Sequence, residues 1–179
     1  MNKWDKYFLE MCNKVAENSS CLSRKVGVIL VRENRILCSG YNGPPSGVPH
    51  CNERYYTDEK LKEYILKTQE FDLPTKENEM TCPRQWLAFP SGEGLEWCIA
   101  GHGERNVLIT AAKFGIATNG AMLYMNCAVP CTPCLIEIIN AGISEIIVTK
   151  IFYYDLMSEW ILNNSKLKYR VYEGIDLTK

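Results

Sequence analysis

The stretch from Gly101-His102-Gly103-Glu104 to Val129-Pro130-Cys131-Thr132-Pro133-Cys134 decides how the chain is read. Between its ends, Glu104 to Phe114 has helical form, with Val107, Leu108, Ala111 and Ala112 turned inward and Gly115 as a C-terminal stop. Met122 to Met125 reads as a buried strand, Pro133 to Ala141 as a second helix closed by Gly142, and Glu145 to Thr149 as the next strand. Strand, helix and strand with short links predict a right-handed parallel crossover. His102 then stands at the start of one helix, and Cys131 and Cys134 at the start of another. Helix N-termini carry partial positive charge and lower thiol pKa, which biases both cysteines toward the metal-binding thiolate.

His-x-Glu followed by Pro-Cys-x-x-Cys resembles the ligand pattern of zinc-dependent nucleobase deaminases, in which one His and two Cys hold Zn2+ and the Glu stays off the metal. A lone His-x-Glu is usually an exposed helix start, and a lone Cys-x-x-Cys serves structural zinc or redox chemistry equally well. Their order here, with Pro130 and a strand between them, selects the deaminase reading. Three ligands, His102, Cys131 and Cys134, leave a fourth tetrahedral position for water, whose pKa the metal lowers toward neutrality. Glu104 is expected to take a proton from that water, protonate the pyrimidine ring nitrogen as C4 is attacked, and deliver a proton to the departing ammonia. Gly103 stands where this superfamily usually has Ala, at about 0.5–1 kcal/mol of helix propensity.

The 179 residues suffice for one domain with a sizeable core, and 1–179 is read as a single domain with an insert at about 52–97. Hydrophobic residues make up 46% and charged residues 23%, and no apolar run approaches a membrane span. Met1-Asn2-Lys3-Trp4 is not followed by a secretory h-region, so a cytoplasmic protein without a membrane partner is expected. A net charge of −1 with interspersed signs argues against a nucleic-acid footprint and leaves room for a small phosphate pocket. Nine cysteines in a reducing compartment are better read as metal ligands than as disulfides, with Cys12, Cys38 and Cys127 left over as small buried hydrophobes.

Toward the N-terminus, Trp4, Tyr7, Phe8, Met11 and Val15 mark an amphipathic helix from Lys3 to about Asn18. Val26 to Val31 is a buried strand, and Glu33-Asn34 turns it into a second, Arg35 to Gly40. Tyr41 to Pro49, dense in Gly and Pro, is a loop suited to ligand contacts. Tyr56 to Gln69 reads as a surface helix and Leu73 to Pro90 as irregular, and metal is the expected pin for so aperiodic an insert. A helix at about Asp155 to Asn163 and a strand from Tyr169 to Tyr172 complete an α/β fold with a mixed five-stranded sheet flanked by helices.

Ser20-Cys21-Leu22-Ser23-Arg24-Lys25-Val26-Gly27, Gly40-Tyr41-Asn42-Gly43-Pro44-Pro45-Ser46-Gly47 and Pro49-His50-Cys51, with His102 to Asn106 and Pro130 to Cys134, closely resemble the deoxycytidylate (dCMP) deaminases of phages and of the late-competence type. The resemblance covers roughly residues 4–155 and implies the cytidine deaminase-like three-layer α/β/α fold and conversion of dCMP to dUMP. It places Asn42 on the substrate sugar and base, Asn106 near the phosphate, Lys113 and Arg24 as basic groups at the substrate end, and Tyr153 with Tyr154 as an aromatic wall. It matches Cys21, Cys51, Cys82 and Cys98 to a closed structural zinc site, with His50 as the rival fourth ligand. It further suggests a homo-hexamer regulated by dCTP and dTTP with Mg2+. The alternatives are a deaminase of another cytosine or adenine substrate, such as a nucleoside, a tRNA or single-stranded nucleic acid, and a catalytically silent zinc module. Retention of Glu104 weighs against the silent module.

Overall fold

A computed structural model describes residues 3–68, 72–75 and 81–172. In chain order the helices and strands are α1 (Lys3–Ala16), β1 (Gly27–Arg32), β2 (Arg35–Tyr41), α2 (Cys51–Thr57), α3 (Glu59–Thr68), α4 (Pro83–Trp86), α5 (Gly103–Lys113), β3 (Met122–Met125), α6 (Thr132–Asn140), β4 (Glu145–Val148), α7 (Leu156–Asn164) and β5 (Lys168–Val171). They fall into two compact units, one of residues 1–19, 26–42 and 102–179, the other of residues 20–25 and 43–101. Among the described residues no helix is long and apolar enough to cross a membrane.

The first unit is built on a mixed sheet of order β2-β1-β3-β4-β5. β1 runs antiparallel to both β2 and β3, whereas β3, β4 and β5 are parallel, as the short crossovers through α6 and α7 demand. Glu33 and Asn34 both take positive φ, 50° and 57°, giving the tight turn that joins β1 to β2. Side chains two apart along a strand share a face. Val28, Leu30, Leu123, Met125, Ile146 and Val148 therefore pack with Val107 and Ala111 of α5, Leu135 and Ile138 of α6 and Leu162 of α7. Ile29, Val31, Tyr124 and Ile147 face the other way, against Phe8, Leu9 and Cys12 of α1. Helices on both faces make the expected three-layer α/β/α arrangement.

Two strand glycines bring helices closer than any side chain would allow. A Cβ at Gly40 would lie 2.3 Å from the Val107 nitrogen in α5, and one at Gly27 would lie 2.0 Å from the Cys12 carbonyl oxygen in α1. A polar set fixes α1 as well. Buried Asp5 accepts the Tyr124 hydroxyl at 2.9 Å and Arg170 at 2.6 Å, and Arg170 also reaches Glu145 at 2.7 Å.

The second unit has its own small core of Tyr55, Leu61, Ile65 and Leu87, with Trp86, Phe89 and Trp97 against it. The expected helix from Tyr56 to Gln69 is two helices, with Gln69 itself outside the described residues. Asp58 separates them, because its carboxylate accepts the Leu61 N–H at 3.1 Å and the Arg54 guanidinium at 2.8 Å. The stretch expected to be irregular contains α4 and is followed by a 3-10 turn at Leu95–Trp97, while residues 70–71 and 76–80 of the insert lie outside the described residues. The insert expected at 52–97 falls inside this unit.

Because the atoms that a Gly40 methyl would meet are backbone, no rotamer change can relieve the contact. Gly40→Ala should lower the urea midpoint by the equivalent of about 1–3 kcal/mol at an unchanged m-value, read by circular dichroism.

Candidate active site

α5 and α6 carry the site at their N-terminal ends. His102 is the N-cap of α5 and Cys131 the N-cap of α6, both with extended backbone and neither with a side-chain capping bond, so imidazole and thiol are left for other work. His102 Nδ1 lies 3.5 Å from Cys131 Sγ and 3.3 Å from Cys134 Sγ. The three donor atoms lie within 4.8 Å of one another, and among the described residues no second group of three or more His, Cys, Asp or Glu donors closes so tightly. A tetrahedral zinc with ordinary Zn–N and Zn–S bonds sets nitrogen–sulfur separations of about 3.5 Å, so the residues present fit that ion.

The two thiols titrate together. Cys131 is pushed down, chiefly by the hydrogen bond from the Cys134 thiol, against the effect of burial and with help from His102 and the Cys134 backbone N–H. Cys134 is pushed up by that same bond, then by burial and by the nearby Glu104 carboxylate. Glu104, in the first turn of α5, is buried at 6% exposure. Arg105 reaches across to Glu137 at 2.8 Å and joins α5 to α6 on the surface.

Gly103 has a local reason. A Cβ there would sit 3.1 Å from Val28 Cγ2 in β1 and 3.3 Å from Cγ1 and the carbonyl oxygen of Val26 just before it, so an alanine methyl would make these neighbours give by a few tenths of an ångström. The Gly therefore belongs to a matched set with Val26 and Val28, and Glu104 follows it in regular helix.

Around this end of the first unit, Asn42 is buried with its side-chain oxygen fixed. Val26 N–H donates to Oδ1 at 2.7 Å, and the Ser19 hydroxyl lies 2.8 Å from Oδ1 and 2.6 Å from the Asn42 carbonyl oxygen. Asn106 donates from Nδ2 to the Tyr41 carbonyl at 2.7 Å, which ties α5 to the end of β2 next to Asn42. Tyr153 packs against the α5–α6–α7 side of the core, and its hydroxyl is pushed up by burial first and then by Tyr169. Lys113 is not brought to this end. It closes α5, about 13 Å along the axis from Glu104 at 1.5 Å per residue, and its Nζ lies 5.8 Å over the Phe114 ring.

Ser19 and Asp155 were not foreseen as parts of the site. Asp155 is the N-cap of α7, accepting the Ser158 N–H at 2.9 Å, and it also accepts the Thr132 N–H at 2.8 Å and the Thr132 hydroxyl. Its carboxyl is held below the ordinary range, burial acting against the shift and these hydrogen bonds outweighing it. An Asp three residues before a Ser is a visible capping signal, but nothing local in the sequence ties it to Thr132.

In the second unit Arg24 is exposed. Cys51 opens α2, Cys82 precedes α4 and Cys98 follows the 3-10 turn. The Cys51 thiol is pushed up to about 11, by burial first and next by Cys82, with Cys21 and Cys98 adding to the rise. The four sulfurs do not close into a group as tight as that of His102, Cys131 and Cys134. His50 is exposed, and its backbone N–H donates to Glu53 Oε2 at 2.6 Å.

Residues 2–150 match the profile of the family described as the cytidine and deoxycytidylate deaminase zinc-binding region. The chain belongs to that family. It is 31% identical over 169 residues to a deoxycytidylate deaminase of Schizosaccharomyces pombe, a match covering 94% of this chain and 44% of that protein. A deoxycytidylate deaminase of Enterobacteria phage T2 is 30% identical over 147 residues, covering 78% of this chain and 76% of the phage protein. The fold matches that of the dCMP deaminase of cyanophage S-TIM5, solved in complex with dCMP and dUMP, with a TM-score of 0.65 at 19% identity over 96% of this chain and 99% of that one. The chain therefore spans less than half the length of the yeast relative and nearly all of the cyanophage one.

If Gly103 is matched to its two valines, Gly103→Ala should gain more stability in a Val28→Ala background than in the native chain. A double-mutant cycle by thermal unfolding should show coupling of at least about 0.5 kcal/mol, and additive effects would sink the match.

Proposed function

We propose that the chain deaminates dCMP hydrolytically to dUMP and ammonia, supplying dUMP for thymidylate synthesis. The observation that carries the reading is the convergence of His102 Nδ1 with the Cys131 and Cys134 sulfurs beside the buried Glu104. Zinc held by those three side chains would lower the pKa of water toward neutrality and so supply the nucleophile at working pH. Glu104 takes the proton released by the attacking water, passes it to the pyrimidine ring nitrogen, and delivers another to the amino group leaving C4. Its burial keeps this exchange away from bulk solvent.

Asn42 is assigned to the substrate sugar and base, its side-chain oxygen held by Val26 and Ser19. Asn106 and Arg24 are assigned to the phosphate and Tyr153 to the aromatic wall, while Lys113 stands too far along α5 to join them. Support for dCMP comes from the S. pombe and T2 relatives and from the cyanophage enzyme's complexes. The net charge of −1 favours a mononucleotide over a polymer. A second, structural zinc is assigned to Cys21, Cys51, Cys82 and Cys98, on the strength of the resemblance and of their place in one unit. The reading extends to a cytoplasmic hexamer regulated by dCTP and dTTP with Mg2+.

A panel of dCMP, deoxycytidine, dCTP and cytosine-containing single-stranded DNA, assayed for ammonia with and without dCTP as effector, should show clear preference for dCMP. Preference for the nucleoside or the polymer would overturn the monophosphate assignment. Glu104→Ala should lose on the order of 10²–10⁴-fold in turnover while its zinc content is unchanged. Elemental analysis should find about two zinc ions per chain, falling to about one when Cys51 and Cys82 are both replaced by Ser; one in the native protein would remove the four-cysteine site.

A further inference from the structure

We propose that Asp155 is a positioning residue for the metal-binding turn, holding the main chain between Cys131 and Cys134 from the start of the next helix. The argument begins with the backbone donors at the N-terminus of α6. A helix normally satisfies them through its own N-cap side chain. Here the N-cap is Cys131, whose sulfur lies 3.5 Å from His102 Nδ1 and makes no capping bond. The first helical residue, Thr132, donates its N–H to Asp155 Oδ2 at 2.8 Å, and its hydroxyl bonds Asp155 Oδ1. The second, Pro133, has no N–H. Leu135 N–H reaches the Cys131 carbonyl at 3.0 Å, the first bond of the helix itself.

The first N–H of that turn is thus taken by Asp155 and not by the N-cap side chain. The same carboxylate caps α7, with Ser158 N–H at 2.9 Å on Oδ1 and the Ser158 hydroxyl at 2.8 Å on the Asp155 carbonyl oxygen. One anion therefore sits at two helix N-termini, where both backbone dipoles favour it. With Thr132 held through main chain and side chain, the two sulfurs flanking it keep their spacing about His102 without relying on the metal to gather them. Groups that orient ligands in this way typically contribute 10–100-fold to metal affinity.

The inference rests on His102, Cys131 and Cys134 holding zinc, and its test needs no substrate, so it fails separately from the dCMP assignment. Asp155→Asn keeps an oxygen able to cap α7, since Asn ranks with Asp at that position, but sets an amide against Thr132. Thr132→Val removes the hydroxyl alone. Chelator competition on the zinc-loaded full chain reads affinity, and the thiolate-to-metal absorption band of the cobalt-substituted chain reads the sulfur geometry. Asp155→Asn should lose about 10–100-fold in zinc affinity with a shifted cobalt band and a melting temperature near that of the native chain. Thr132→Val should lose less in the same direction, and the double variant should be no worse than Asp155→Asn. Native affinity and an unshifted band in a folded Asp155→Asn would overturn the proposal, as would fully additive losses. Should Asp155→Asn not fold, Thr132→Val decides by itself, unchanged affinity and band refuting the role.

Discussion

The convergence of His102 Nδ1 on two sulfurs constrains the first unit more than any other contact, because two helices far apart in sequence must begin at one place. α6 begins there because it follows β3 and leads back to a parallel β4. α5 begins there because Gly40 lets β2 lie directly against the Val107 backbone and Asn106 ties the helix to Tyr41. Three thiol and imidazole groups crowded at two helix N-termini would otherwise be a costly arrangement. The positive ends of the helices offset part of that cost before any metal enters.

Polar groups around this point do what apolar packing cannot, which is to set orientation. The Asn42 amide cannot turn over, because Val26 N–H fixes which end is the oxygen. On the other face of the sheet, Asp5 joins Tyr124 and Arg170 in a buried bond set that aligns α1. Leaving one such buried hydroxyl without its partner costs about 1–3 kcal/mol, enough to choose among packings that apolar burial alone would leave nearly equal.

Much of the fold was legible because its signals are local. Glu33-Asn34 imposes a tight turn, the apolar runs at Val26, Met122 and Glu145 alternate between two buried faces, and α1 carries a stripe at helical spacing. The converging donors His102, Cys131 and Cys134 were legible for the same reason, each being a residue type at a helix start. The second unit was read less well. Its helical propensity runs through Asp58, whose carboxylate instead closes one helix with Arg54 and opens the next at Leu61. Lys113 illustrates another limit: nine residues of helix carry it from Glu104 to the opposite end of α5, which sequence proximity does not show.

By itself the sequence determined which residues can bind metal and move a proton, where most of the first unit's helices and strands lie, and that β3 and β4 run parallel. Those depend on side-chain chemistry and on periods of two and 3.6 residues, which short segments carry. Only the tertiary structure decided that Gly103 answers to Val26 and Val28, that Gly27 and Gly40 are points of close approach, and that Asp155 serves α6 as well as α7. Each of these pairs elements distant along the chain, and the distances that matter, a few tenths of an ångström at Gly103 and a hydrogen bond's length at Thr132, exist only once the layers are packed.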